Sequence, residues 1–368
     1  MRILQIISRR DCDTGGGLQA LELARALKDR GHEVYLCARP GGSAQRRCAE
    51  MGLPFFPLSM RGNWDFSSVR ALKSFLRAKG IQVIHSHKGR AHGLALMAVM
   101  GVRPQPVVVA NRGVTFPLSF WNKWKYILPQ TRGVVAVSES VKGVLEASGV
   151  PSRKIRVIYG GVDLERFRPM NREEACKGLG LDPSWDYVAM VAQFRPWKGH
   201  GILARAVEEL ISSFPRLRVL LAGKPTGRTY KTFKAGLAEA GLLDRFLFLG
   251  YRKDVEMVIG ASHLLAGPSL EGEGLPGVFR EAMACGRPVV ASRVAGAPEI
   301  VVPGETGLLV PPGDAQALAE AVARLLEDGD LRRFMGERGR RLVEERFSHA
   351  ARAEAMERYY QELLSHGG

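Results

Sequence analysis

Glu273 and Glu281 stand eight residues apart in the stretch PSLEGEGLPGVFREAMACGRPVV, residues 268–290. On one continuous helix that spacing leaves two side chains roughly 80° apart in azimuth, so they would not share a face. Gly272, Gly274, Pro276 and Gly277 break the first half of the stretch. Glu273 therefore reads as a loop residue, and Glu281 as part of a helix that begins near Val278 and stops at Gly286. A helix start preceded by glycines presents unpaired N–H groups, which suit an anion, while carboxylates accept hydrogen bonds from hydroxyls. Phosphate donors beside hydroxyl acceptors suit a sugar nucleotide. Two surface glutamates near glycines in an ordinary strand, loop and helix would look the same by spacing alone.

Other residues carry weaker signals. In QFRPWKGH a cation held between a strand end and a helix starting near Gly199 can meet a phosphate, which singles out Lys198 and Arg195; the alternative is solvated surface charge. His85 and His87 share one face of an extended segment, but no third ligand lies nearby, so a metal site is not expected. Arg112 follows the apolar run Val107–Ala110. Permanently charged, it can hold a phosphate or an acidic acceptor but cannot shuttle protons. Trp121, Trp124 and Leu128 fall on one helical face with Lys123 and Lys125 beside them. That composition fits a helix lying in a membrane interface, and equally one with its tryptophans packed inward.

The elements that must hold these residues have an α/β rhythm. Ile3–Ile7 is a first strand, followed by Gly15, Gly16 and Gly17 before an amphipathic helix with Leu18, Leu21, Ala24 and Leu27 at helical spacing. Gly31 stops that helix, and Val34–Ala38 is the next strand. The dinucleotide fingerprint GxGxxG is absent, which disfavours a Rossmann dehydrogenase. Further strands are expected at Val83–His85, Val107–Ala110, Gly133–Ser138, Tyr187–Ala192, Val219–Gly223 and Phe246–Gly250.

Glu273 and Glu281 with the following AMACGRPVVA, and then GAPEIV and GETGLLVPPGD, resemble the motifs of family-four retaining glycosyltransferases of the GT-B fold. The resemblance runs nearly the full length and is strongest between 187 and 313. It implies two Rossmann-like α/β domains facing across a cleft, an acceptor domain at 1–168 completed by a C-terminal helix at 350–368, and a nucleotide-sugar domain at 169–349. It implies a nucleotide diphosphate sugar as donor, with Gly16, Gly17, Lys198, Arg195, Gly274, Leu275, Pro276 and Glu281 binding it. Glu281 would take the ribose hydroxyls and Glu273 the sugar. Glu273, Lys198 and Arg195 would form the catalytic group, and His87 and Arg112 would lie on the acceptor side. Three positions depart from the family pattern: Arg112 stands where many relatives have histidine, Gln193 where an arginine is usual, and Gly160 replaces an asparagine. Chemistry of this class is thought to run on one face of the sugar, the leaving phosphate taking the acceptor's proton, with no metal or other cofactor.

With 46% hydrophobic and 24% charged residues, the 368-residue chain has the composition of a globular two-domain protein. Five scattered cysteines give neither a disulfide framework nor a zinc pattern, so a reducing compartment is expected. No apolar run reaches a membrane span or a signal peptide. Residues 1–168 hold 27 Lys+Arg against 11 Asp+Glu, whereas 169–368 hold 26 of each. Concentrated charge draws anionic partners, though a plain solubility bias reads the same. With no helix-turn-helix, RNP or finger signature, nucleic acid is not expected. These features point to a cytoplasmic enzyme, peripheral on the inner face of the plasma membrane, acting on a glycan or lipid-linked acceptor in lipopolysaccharide or polysaccharide synthesis. A sugar-nucleotide-binding protein without activity, or a nucleotide-sugar epimerase on the same scaffold, are the alternatives.

Overall fold

The structure is a computed structural model that describes all residues except Thr14, Asn63, Gly272, Glu273 and 366–368, and leaves the side chains of Phe120 and Trp121 undescribed. The chain forms two compact domains, Met1–Gly161 with the segment from His349, and Val162–Ser348.

The first domain alternates strand and helix: β1 (Arg2–Ile6), α1 (Gly15–Asp29), β2 (Glu33–Ala38), α2 (Ser43–Glu50), β3 (Phe55–Pro57), α3 (Phe66–Lys79), β4 (Val83–Ser86), α4 (Gly89–Val99), β5 (Val107–Arg112), α5 (Phe120–Ile127), β6 (Thr131–Ala136), α6 (Glu139–Ala147) and β7 (Ile155–Val157). Its strands pair in the order β3-β2-β1-β4-β5-β6-β7, all parallel. Strands covered on both faces must be apolar throughout, and Ile3, Leu4, Val83, Ile84, Val108 and Val109 are fully buried. Side chains end the helices' unpaired amides where the sequence offers them: Asp65 caps α3 and Ser138 caps α6.

The second domain repeats the plan with α7 (Arg172–Gly178), β8 (Asp186–Val191), α8 (His200–Leu210), β9 (Leu217–Ala222), α9 (Gly227–Glu239), β10 (Phe246–Gly250), α10 (Val255–Ala261), β11 (Leu264–Gly267), α11 (Gly277–Ala284), β12 (Val289–Ser292), β13 (Gly307–Val310), α12 (Ala315–Glu327) and α13 (Gly329–Arg346). Strand order is β10-β9-β8-β11-β12-β13, again parallel.

The last helix, α14 (His349–Ser365), belongs to the first domain. Met356, Tyr359 and Tyr360 join the core formed by α1, β1 and β2.

The domain boundary lies at Gly161/Val162, not at 168/169 as the family resemblance implies. Long-range pairs decide this. Arg166 grips Glu256 of α10, Arg340 of α13 donates to the Phe167 carbonyl, and Val162 bridges to Ser348. The second domain accordingly ends at Ser348.

Candidate active site

In an open parallel sheet, ligands bind outside the strands' carboxyl ends where the strand order reverses. That point lies between β8 and β11 in the second domain and between β1 and β4 in the first.

At the second-domain point, Ala192, Lys198, Gly267, Ser269, Pro276 and Val278 line a small cavity of about 20 Å³. Lys198 is held there by its turn. Gly199 has φ +74°, and a Cβ on it would lie 1.8 Å from the Pro268 carbonyl oxygen, so only glycine lets the two segments meet. The Leu270 amide donates to the Trp197 carbonyl at 2.7 Å and closes the same junction. A second close approach supports the glycine loop, since a Cβ on Gly296 would lie 2.0 Å from the Gly274 carbonyl oxygen. Lys198 thus stands by Pro276 at the start of α11, whose first amides are unpaired donors.

Glu281 sits one turn into α11, half-buried, its Oε1 3.9 Å from where a Cβ on Gly277 would be. Burial raises its carboxyl pKa, and the neighbouring Arg280 and Arg166 pull it back in part. Arg280 is buried, its pKa lowered by burial to about 10, and its Nε lacks a hydrogen-bond partner. Gly274 and Pro276 are buried and Leu275 partly so. Glu273 lies outside the described residues, so only one carboxylate of the expected pair is placed. Arg195 does not join the cavity wall. It is exposed, its guanidinium 6.0 Å from the centre of the Trp197 ring. Extended backbone before the turn carries it outward, whereas Lys198 follows one helical step later.

At the first-domain point, Arg9 and Arg10 after β1, Arg39 after β2, and Lys88 and Arg90 after β4 line a cavity of about 540 Å³, with Asp11 the one acidic residue in its wall. Sequence reasoning missed this group because its members are spread over three separate parts of the chain; the signal was that each part lies within four residues of a strand's carboxyl end. Although much of Lys88 is exposed, its ammonium loses enough water, and lies close enough to Arg9, for its pKa to fall below the ordinary lysine value. Gly16 lies beside it, a Cβ there being 3.9 Å from Lys88 Nζ. Gly15, Gly16 and Gly17 form the first turn of α1 itself, not a loop before it. Gly17 packs on Cys12, whose Cα would be 2.9 Å from an added Cβ.

His87 is buried below this edge. Its Nε2 donates to Gln5 Oε1 (2.6 Å), the Gln5 amide donates to the Tyr360 hydroxyl (3.3 Å), and that hydroxyl bonds His85 Nδ1 (2.7 Å). Burial, followed by nearby charge, depresses the pKa of both histidines, so they are neutral. With Nε2 committed as a donor, His87 has Nδ1 left as an acceptor. Arg112 is tied back by the Phe116 carbonyl and the Tyr126 hydroxyl. Among the described residues, no three His, Cys, Asp or Glu side chains are grouped to hold a metal ion.

α5 turns Tyr126 inward, but Trp124 is 49% exposed, and Val114, Phe116 and Leu128 nearby in the chain are exposed as well. The inward-packed reading of this helix therefore does not hold for Trp124; Trp121 is not described. Lys123 lies 5.8 Å from the Trp124 ring centre. No described helix is long and apolar enough to cross a membrane.

The family of glycosyl transferases group 1 matches residues 171–342, and glycosyltransferase family 4 matches residues 14–166. The chain belongs to glycosyltransferase family four. The glycosyltransferase is 25% identical to N-acetyl-alpha-D-glucosaminyl L-malate synthase of Bacillus anthracis over 95% of its own length and 94% of the relative's. It is 37% identical to D-inositol 3-phosphate glycosyltransferase of Mycobacterium marinum over 60% of its length, a match that spans about half (46%) of that relative. Among solved structures, Anabaena Alr3699/HepE in complex with UDP-glucose superposes with a TM-score of 0.83 at 21% identity, covering 98% of this chain and all (100%) of the other. The glycosyltransferase has the GT-B fold of two Rossmann-like domains.

Proposed function

We propose that the protein transfers a sugar, with retention and without a metal, from a nucleotide diphosphate sugar to a hydroxyl of an acceptor that bears a phosphate or carboxylate. The first domain's cationic cavity carries this reading: five basic residues against one acid converge at the sheet edge where ligands bind. Two relatives are named for acceptors of this kind, L-malate and inositol 3-phosphate, and one structural neighbour was solved with UDP-glucose. Lys198 and the amides that open α11 would stabilise the departing diphosphate, with Arg195 as an outer cation. Glu281 would accept from the ribose hydroxyls and Glu273 from the sugar. His87, held neutral with Nδ1 as an acceptor, and Arg112 would face the acceptor. The leaving phosphate would take the acceptor's proton, so no separate base is required.

The test is nucleoside diphosphate release from UDP-, GDP- and ADP-sugars with malate, inositol phosphate and their uncharged analogues. Anionic acceptors are expected to support turnover, and Lys88→Ala to raise the acceptor KM while leaving the donor KM unchanged. Turnover with the neutral analogues at equal kcat/KM would rule out the acceptor class. Release that needs no acceptor, with sugar epimers as product, would rule out transfer.

A second reading places the acceptor on a lipid, in lipopolysaccharide or polysaccharide synthesis, and the exposure of Trp124 beside Lys123, and of Phe116, favours it. It predicts binding to phosphatidylglycerol vesicles that Trp124→Ala weakens. Equal binding to neutral phosphatidylcholine vesicles would dismiss it.

A further inference from the structure

A second arginine-rich cavity, of about 550 Å³, opens in the second domain. It lies at the sheet's amino edge. Cys285 to Arg287 in its wall run into the start of β12, whereas Lys198 lies past the carboxyl ends of the strands. The four residues of β12 alone span roughly 13 Å at about 3.3 Å each, so the two places are separate.

Arg287, Arg332, Arg333, Arg340 and Arg341 line it against two glutamates, Glu337 and Glu344. This density is unusual for a domain whose charges otherwise balance, with 26 basic and 25 acidic residues between 162 and 348. Carbonyls aim the inner guanidinium groups without neutralising them. Arg287 donates to the Gly260 oxygen at 2.7 Å and the Met170 oxygen at 3.3 Å, and its buried Nε has no partner. Arg332 donates to the Leu326 oxygen at 3.1 Å, and Arg340 to the Ala284 oxygen at 2.8 Å. Among the side chains of the wall, Arg340 spends charge on Glu344, and Arg333 pairs with Asp330 outside it. Burial lowers the pKa of Arg287 and Arg332, and repulsion from Arg172 adds to it in both. Gly329, opening the 18-residue α13, also lies in the wall, but the Asp328 side chain already caps that helix by accepting from the Leu331 amide at 2.8 Å, so the arginines and not the helix start carry the site. The floor is closely packed, since a Cβ on Gly336 would lie 2.2 Å from the Gly286 oxygen.

We propose that this cavity binds a phosphate-bearing small molecule, a monoester or a diphosphate, separately from the donor nucleotide. Guanidinium groups set on carbonyls keep their remaining donors for an oxyanion, which they match in planar pairs. The site touches the donor side through α11. That helix begins beside Lys198 and ends at Ala284 and Cys285, where Arg340 and the cavity hold it. A ligand at one end of a rigid helix that prefers one position of it changes affinity at the other, and the effect is reciprocal.

Inorganic pyrophosphate is the probe, titrated into the full chain by calorimetry and followed by thermal melting. Arg333→Gln/Arg341→Gln alters two exposed residues and should melt as the parent does without ligand, yet bind pyrophosphate roughly tenfold or more weakly at this site. Lys198→Ala should keep the site. The proposal is overturned if the double variant binds as tightly as the parent, if Lys198→Ala alone abolishes binding, or if millimolar pyrophosphate does not bind. Attachment to phosphatidylglycerol vesicles that the double variant loses, without any pyrophosphate binding, would overturn it too, by assigning the arginines to a lipid headgroup.

Discussion

Lys198 and Arg195 sit three positions apart but in different surroundings, one in a cavity wall beside a helix start and the other on the surface over Trp197. Screening makes an exposed cation worth little, so their substitutions should separate. Lys198→Ala is expected to lower kcat/KM about a hundredfold or more, in the range for loss of one transition-state donor, and Arg195→Ala by less than about tenfold. Steady-state kinetics with saturating acceptor checks this, and equal losses would return Arg195 to the inner site. Glu281 carries a different trade. Because burial raises its pKa, ionising it in the folded state costs stability as pH rises above the unfolded value of about 4.3. Glu281→Gln should therefore melt no lower than the parent at pH 7.5 while binding nucleotide more weakly. The histidines give the acid side. His200, stacked on Phe194, has its pKa lowered to about 4 by burial, and His92 likewise to about 4. The unfolded chain takes up these protons near pH 6.5 and the folded chain refuses them, so stability falls as pH drops from about 6.5 toward 4. His200→Phe should flatten the slope by about 1.4 kcal/mol per pH unit, one proton's worth, in urea titrations between pH 6 and 5. An unchanged slope would mean that His200 titrates normally.

At the scale of elements, much was legible and the exceptions are instructive. Alternating apolar runs and glycine stops announced the strand and helix order because each signal is local: Gly31 after α1, Gly286 after α11 and the Gly199 turn before α8 all lie where the chain reads them. The cationic edge of the first sheet and the arginine cavity did not announce themselves. Arg9, Arg39 and Lys88, or Arg287 and Arg340, are brought together only by crossover connections between parallel strands, which leave no spacing to count. The domain boundary was misplaced for the same reason, since Arg166 finds Glu256 ninety residues away. Close backbone contacts were partly legible as glycines but without their partners. Gly199→Ala would place a methyl 1.8 Å from a carbonyl oxygen in a left-handed turn. It is expected to reduce donor affinity by displacing Lys198, and to lower stability by several kcal/mol, judged from urea midpoints. Undiminished nucleotide binding would show that the turn does not position Lys198.

For the whole molecule, the reassigned boundary sharpens the charge contrast. Residues 1–161 with 349–368 hold 27 basic and 12 acidic side chains, a net of +15, against +1 for the remainder. Charge of this size acts on encounter and is screened over about 8 Å at physiological ionic strength. The acceptor kcat/KM should fall as salt rises from 50 to about 500 mM, while donor affinity changes less; the reverse dependence would place the anionic partner on the other domain. Tyr360 links the parts of the first domain, its ring buried against β1 and β4 and its hydroxyl bonded to Gln5 and His85. Tyr360→Phe should cost about 1–2 kcal/mol by leaving His85 Nδ1 and the Gln5 amide unmatched in the interior.

That α14 closes the first domain has a consequence for biosynthesis. As the polypeptide leaves the ribosome, the basic half emerges first yet lacks Met356, Tyr359 and Tyr360, so its apolar face stays uncovered while the whole Val162–Ser348 segment is translated and folds. The later-made half can close its core first, and a nascent chain stalled before residue 349 would offer chaperones a complete seven-stranded sheet with one face left uncovered.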